Sequence, residues 1–218
     1  MNNVYCMESM GTKTGKNKGQ YKQSLKPSGY KAGYEYLLAY KITVPIYDYT
    51  VVFCKRCASP NHPFPPLSSL RTFDQMVQAA RSGTQNIAEG NQQASLEGYI
   101  KLTGINKGSL EELLKDFLAY ARQNQIEVWE KEEVVRKVRE LGEVWEILKK
   151  APTLPDSPNF PDLPSDPTQA VNLMITLINQ AIYLEKRLAQ SLEQKFIKEG
   201  GFRENLFKKR LEEKRKNF

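Results

Sequence analysis

Residues 70 to 118 carry two apolar stripes that step by three and four residues, joined across a short polar corner, and no other stretch narrows the folding options of the chain as far. The first stripe is Leu70, Phe73, Val77, Ala80, Thr84 and Ile87. The second runs Leu96, Tyr99, Thr103, Asn106, Leu110, Leu113, Phe117 and Tyr120. A helix turns once in 3.6 residues, so such steps keep one face toward a partner and predict an antiparallel helical pair. Gly90 is placed to stop the first helix and Ser95 to cap the second. This spacing specifies packing and no reaction.

Around that hairpin the same pattern recurs. Leu37, Tyr40, Val44, Tyr47, Val51 and Cys54 mark a helix from about Tyr34, with a bend expected where the Pro45 ring meets the carbonyl of Lys41. The proline-rich run after Cys57 is a loop. A further helix is expected from about Gln125 to Lys150, with Val134, Val138, Leu141, Trp145 and Leu148 as its stripe. Four such helices make an all-α, up-down-up-down bundle over residues 34–150. In residues 151–167 proline recurs every third position from Pro152 to Pro167, the period of a polyproline II spacer. At about 3.1 Å per residue that spacer reaches roughly 45 Å when extended. Asp166 and Pro167 then form a helix start. The fifth helix carries Val171, Met174, Ile178, Ala181, Leu188 and Leu192 on one side and Leu173, Leu177 and Leu184 on another, a width that implies more than one neighbour. Gly200 and Gly201 end it. Residues 168–218 thus form a C-terminal helical extension with a basic tail.

The net charge of +7 sits at the ends. Residues 1–33 hold six Lys against Glu8 and read as a mobile basic arm, while residues 203–218 hold seven Lys or Arg against three acids. Residues 34–150 balance at fifteen of each sign. Apolar runs fall short of the roughly 20 residues that span a bilayer, and the amino terminus lacks an apolar signal stretch, so a cytoplasmic protein is expected. Three cysteines in a chain with ample core do not indicate a disulfide framework.

At Arg81 to Gly90 (RSGTQNIAEG) and Lys107 to Phe117 (KGSLEELLKDF) the chain resembles the four-helix bundle proteins encoded in intervening sequences of bacterial 23S ribosomal RNA genes. The likeness covers residues 34 to 124. Residues 168 to 216, ending in GGFRENLFKKR, resemble the suffix segment of a longer subgroup. The resemblance implies a homo-oligomeric ring, commonly a pentamer, with no enzymatic activity. It also brings in Ser82, Asn86, Glu89, Gly90, Ser109 and Glu112 as structural motif residues. A related branch serves diversity-generating retroelements as an accessory protein, where a basic ring binds nucleic acid and a reverse transcriptase. This chain departs from that branch in its electrically balanced bundle, because phosphate recognition needs clustered Lys and Arg.

Each chemical constellation has a competing structural account. Cys54-x-x-Cys57 with His62, and Cys6 farther off, offers soft ligands of the kind zinc takes. Against this, Cys54 lies on a helix seam, where a thiol packs as a small apolar group. Asn86 and Glu89 share a polar stripe with Ser82 and Gln85, yet spacing assembles no nucleophile with a neighbouring base. Their expected work is to satisfy backbone groups at the corner. Arg71, Arg81, Lys101 and Lys107 are candidate phosphate contacts, although Arg81 and Lys101 lie among Asp74, Glu89 and Glu97 and are expected to pair within or between subunits. Ala79, Ala80 and Gly83 form a small-residue patch suited to a ring interface or to a contact within the chain. Among the end charges, Arg203, Lys208, Lys209, Arg210, Lys214, Arg215 and Lys216 are the densest cluster. The expected function is a non-enzymatic accessory or adaptor associated with RNA, free of cofactor, metal, small-molecule substrate and membrane. The alternative is a scaffold that binds only protein.

Overall fold

A computed structural model describes residues 31–216, and within them every regular element is helical. The amino-terminal arm, with Cys6 and five of its lysines, lies outside the described residues. A 3-10 turn at Gly33–Tyr36 leads into α1 (Leu38–Ala58), followed by α2 (Leu70–Asn91), α3 (Leu96–Gln123), α4 (Lys131–Lys137), α5 (Arg139–Lys150), α6 (Pro167–Glu199) and α7 (Phe202–Lys216). The starts are chemically marked. Ser69 accepts from the Thr72 N–H, Ser95 from Gly98 and Asp166 from Gln169, with Pro167 in the first turn of α6. Each supplies an oxygen to one of the amide donors that a helix start leaves unpaired. At the far end of α6, Gly200 takes a φ of 77°, a conformation that costs glycine little, and the helix stops there.

Four long helices share the core: α1 and α3 each pack against both α2 and α6. This arrangement differs from the one expected from spacing. The helix foreseen over 125–150 is not continuous, for residues 124–130 are non-helical and Val138, at φ −114° and ψ 94°, separates α4 from α5. The cause lies in α6. Asn172 donates to the carbonyls of Glu127 and Thr168 and accepts from the Trp129 N–H, which ties the 127–129 backbone to α6 as an extended strap. The β-branched cluster Val134, Val135 and Val138 favours helix only weakly, and the break lets Val134, Val138, Leu141, Val144 and Leu148 all reach the core. Val171 to Ile178 of α6 are buried without interruption. The expected extension therefore belongs to the same hydrophobic core as α1–α3, and the chain from Lys31 onward forms one compact unit.

The proline-rich segment lies along α1 instead of standing off as a spacer. Lys41 Nζ donates to the carbonyls of Leu148 and Ala151, Tyr49 Oη to that of Pro161, and Arg56 Nη1 to that of Pro164. Four carbonyls are thereby read in order by one helix over about 22 Å, the rise of α1 from Lys41 to Arg56. Leu154 and Leu163 are buried beneath the segment.

The seams also differ in detail. On α3 every position from Tyr99 to Tyr120 in the expected stripe is buried. On α2 the stripe is rotated: Leu70 is 80% exposed, and the buried positions are Met76, Ala79, Ala80, Gly83, Ile87 and Gly90. The interface is built from small residues because α2 approaches closely. A Cβ at Gly83 would lie 3.4 Å from Leu110 Cδ2 and 3.7 Å from Thr43 Cβ. Ala80 and Gly83 thus serve a contact within the chain. Along α1 and its cap, Leu37, Tyr40, Val44, Tyr47 and Val51 of the expected stripe are only half-buried while Cys54 is fully buried, and the large fully buried side chains are Ile42, Ile46 and Phe53. Gly90 does not stop α2, which continues through Asn91. Among the described residues no helix is long and apolar enough to cross a membrane.

Candidate functional site

Helix α7 is the most exposed element, with no buried residue. It is attached through Gly200 and Gly201: the Gly201 N–H donates to Glu204, and Asn205 Nδ2 donates to the Glu199 carbonyl at 3.0 Å, so both contacts fix the turn between α6 and α7. Arg203, Lys208, Lys209, Arg210, Lys214, Arg215 and Lys216 all face solvent. The ion pair within α7 is Lys216 to Glu213 at 3.4 Å. At 100° per residue, Arg203, Arg210 and Lys214 fall on one stripe. Phe202 and Leu206 flank it on one side and Phe207 and Leu211 on the other, all between 40% and 60% exposed. Cations flanked by apolar and aromatic side chains suit a ligand with both phosphate charge and flat bases.

The hairpin candidates differ in their surroundings. Arg81 and Lys101 are exposed and, among the described residues, form no ion pair within the chain with Asp74, Glu89 or Glu97. Lys107 is paired with Glu111 of its own helix at 3.3 Å. Arg71 lines a groove of about 700 Å³ between α2 and α3 with Asp74, Ser82, Ser109, Glu112 and Asp116. Burial, and then the Glu112 carboxylate, raise the Asp116 carboxyl above its ordinary range. Ser109 donates to the Ile105 carbonyl, and among the described residues neither groove hydroxyl is hydrogen-bonded to a carboxylate, the pairing that would activate a nucleophile. The groove was not legible in sequence because its walls come from two helices and the stripe read on α2 misplaces that helix's rotation.

Asn86 and Glu89 make no side-chain hydrogen bond among the described residues, which corrects their expected role at the corner. The corner is held by Ser95 at the start of α3 and by Gln93, whose Nε2 donates to the Glu89 carbonyl at 3.4 Å. Cys54 and Cys57 are free and buried, and burial pushes the Cys54 thiol up to about 12. Cys57 Sγ lies 3.5 Å from Tyr120 Oη. His62 stacks edge-on against Phe64 at 4.8 Å. A second groove, of about 600 Å³ between α3 and α6, is lined by Leu118, Val128, Trp129, Ile175 and Tyr183.

Sequence reasoning passed over Glu185, which is completely buried in α6 and hydrogen-bonded to Asn106 of α3. The signal was present: Ile178, Ala181, Glu185, Leu188 and Leu192 step by three and four, and the acid occupies a seam position. Comparisons with protein-family models, with curated proteins and with solved structures give no match.

Proposed function

We propose that this chain is a non-enzymatic helical adaptor that engages RNA through α7. The observation that supports this reading most directly is the exposed basic stripe of α7 between two apolar pairs, on a helix that contributes nothing to the core. In this reading α1, α2, α3 and α6 are the four rods of an up-down-up-down bundle, α4 and α5 brace it, and α7 is its extension. Assignment to the family of ribosomal RNA intervening-sequence proteins rests on the Asn86–Gly90 and Gly108–Leu113 motifs. With that assignment go a homo-oligomeric ring, a pentamer in the family, a cytoplasmic setting and a reverse transcriptase as a further partner. A ring would gather several copies of α7 into one field and strengthen its pull on a polyanion.

The test is binding of single-stranded RNA to the full chain at graded salt. Each cation that displaces counterions adds about 0.7 to the slope of log affinity against log salt. Replacing Arg203, Arg210 and Lys214 together by Gln is expected to lower that slope by about 2. Unchanged affinity and slope would refute the role given to α7. A second reading, a scaffold that binds protein alone, is favoured by the exposure of Phe202, Leu206, Phe207 and Leu211. It predicts salt-insensitive partner binding that is lost when those four are made polar.

A further inference from the structure

Glu185 of α6 and Asn106 of α3 face each other where the solvent exposure of each is 0%. Asn106 Nδ2 donates to Glu185 Oε1 at 2.8 Å. The remaining oxygen of each group, Glu185 Oε2 and Asn106 Oδ1, is buried with no partner. With a carboxylate at position 185 both orphans are acceptors, and two acceptors cannot satisfy one another. One added proton changes this. A neutral acid turns Oε2 into a donor that the free amide oxygen can accept, and an acid and an amide so paired close a two-bond ring that leaves neither group unpaired. A buried carboxylate without a cation is costly, whereas a buried acid in a closed hydrogen-bonded pair is not.

We propose that Glu185 is a proton-binding site, occupied at neutral pH, whose acid–amide pair with Asn106 clasps α6 to α3. Among the described residues nothing favours the charged form beyond that one amide. Burial is the dominant influence and raises the carboxyl from 4.5 to about 8, with the Asn106 hydrogen bond pulling weakly the other way. Tyr99 of α3 is the titratable group that feels Glu185. No charged group of α1, α4 or α5 acts on it, and Lys41 of α1 is committed to the carbonyls of Leu148 and Ala151. Lys186 and Arg187, its neighbours on α6, are exposed.

Release is simple to balance: the Oε2–H bond breaks, the proton passes to solvent, and a carboxylate remains against an amide oxygen. The folded chain then holds a proton that the unfolded chain has already lost over the interval between about 4.5 and about 8. Stability from this site is full below that interval and declines as pH rises through it, loosening α6 from α3.

The experiment compares urea unfolding of the full chain with that of Glu185→Gln from pH 5 to pH 9, alongside a carbon-13 titration of the Glu185 carboxyl in the unaltered protein. A glutamine keeps both hydrogen bonds and cannot ionise. The folding constant of the unaltered chain is expected to fall relative to the variant by about tenfold per pH unit inside the window. A ratio that stays constant with pH overturns the proposal. Should the variant not fold, the titration decides alone: a midpoint above 7 supports the site, and one near 4.5 overturns it.

Discussion

Replacing Gly90 by Ala tests the claim that α2 and α3 meet through a missing side chain. Gly90 lies inside α2, so helix propensity alone predicts a gain of up to about 1 kcal/mol. The packing predicts the opposite. An added Cβ would stand 2.8 Å from Cε2 of Tyr99 and closer still to Cδ2, with Leu102 Cβ at 3.5 Å beyond. Tyr99 is 7% exposed, so its ring has little room to swing away. Forcing a methyl into such a site costs about 1–3 kcal/mol, which outweighs the propensity term and leaves a net loss of about 0.5–2 kcal/mol. Gly108→Ala provides the contrast, because nothing lies within 4 Å of a Cβ at that position of α3. It should gain about 0.5–1 kcal/mol. Urea denaturation at fixed pH measures both, and a domain of this size shifts by about 2–4 °C in Tm per kcal/mol. Adding Tyr99→Leu to Gly90→Ala should shrink the penalty in a double-mutant cycle, whereas Tyr99→Phe, which keeps the same ring carbons, should not. A Gly90→Ala protein as stable as the unaltered chain would refute the close approach.

Two further predictions concern the α1 side. Lys41→Met leaves the Leu148 and Ala151 carbonyls without their donor, and a loss of about 1–3 kcal/mol in urea unfolding is expected. Because burial holds the Cys54 thiol far above neutral pH and Cys57 is also buried, both should resist alkylation at pH 8 in the native protein, as mapped by mass spectrometry. Rapid labelling at either without denaturant would contradict that burial.

Particular residues show what could be read from one dimension. The α3 stripe from Tyr99 to Tyr120 was legible because α3 lies between α2 and α6 and its large side chains point where its period says. The α2 stripe was not. Leu70 and Phe73 drew the reading to one flank, while the true interface consists of Ala80, Gly83 and Gly90, residues whose value is their lack of bulk. The basic cluster of α7 followed from composition, while its arrangement as a stripe follows from the helix at Phe202–Lys216. The α2–α3 groove and the Glu185–Asn106 pair did not: the groove depends on how α2 is rotated against its neighbour α3, and the pair exists only where two helices distant in sequence are set side by side.

The amino-acid sequence by itself determined that the described residues are helical, where Ser95 and Asp166 start helices, and where Gly200 ends one, because caps and periodicity act over a few residues. Tertiary structure alone decided that α6, and not the 125–150 segment, packs beside α1 and α3. Both stretches offer apolar stripes. The choice turns on which one buries a longer continuous face, and the nine consecutive buried residues of α6, Ala170 to Ile178, outweigh two short helices broken at Val138. That same choice carries Glu185 into the core and leaves α7 outside it.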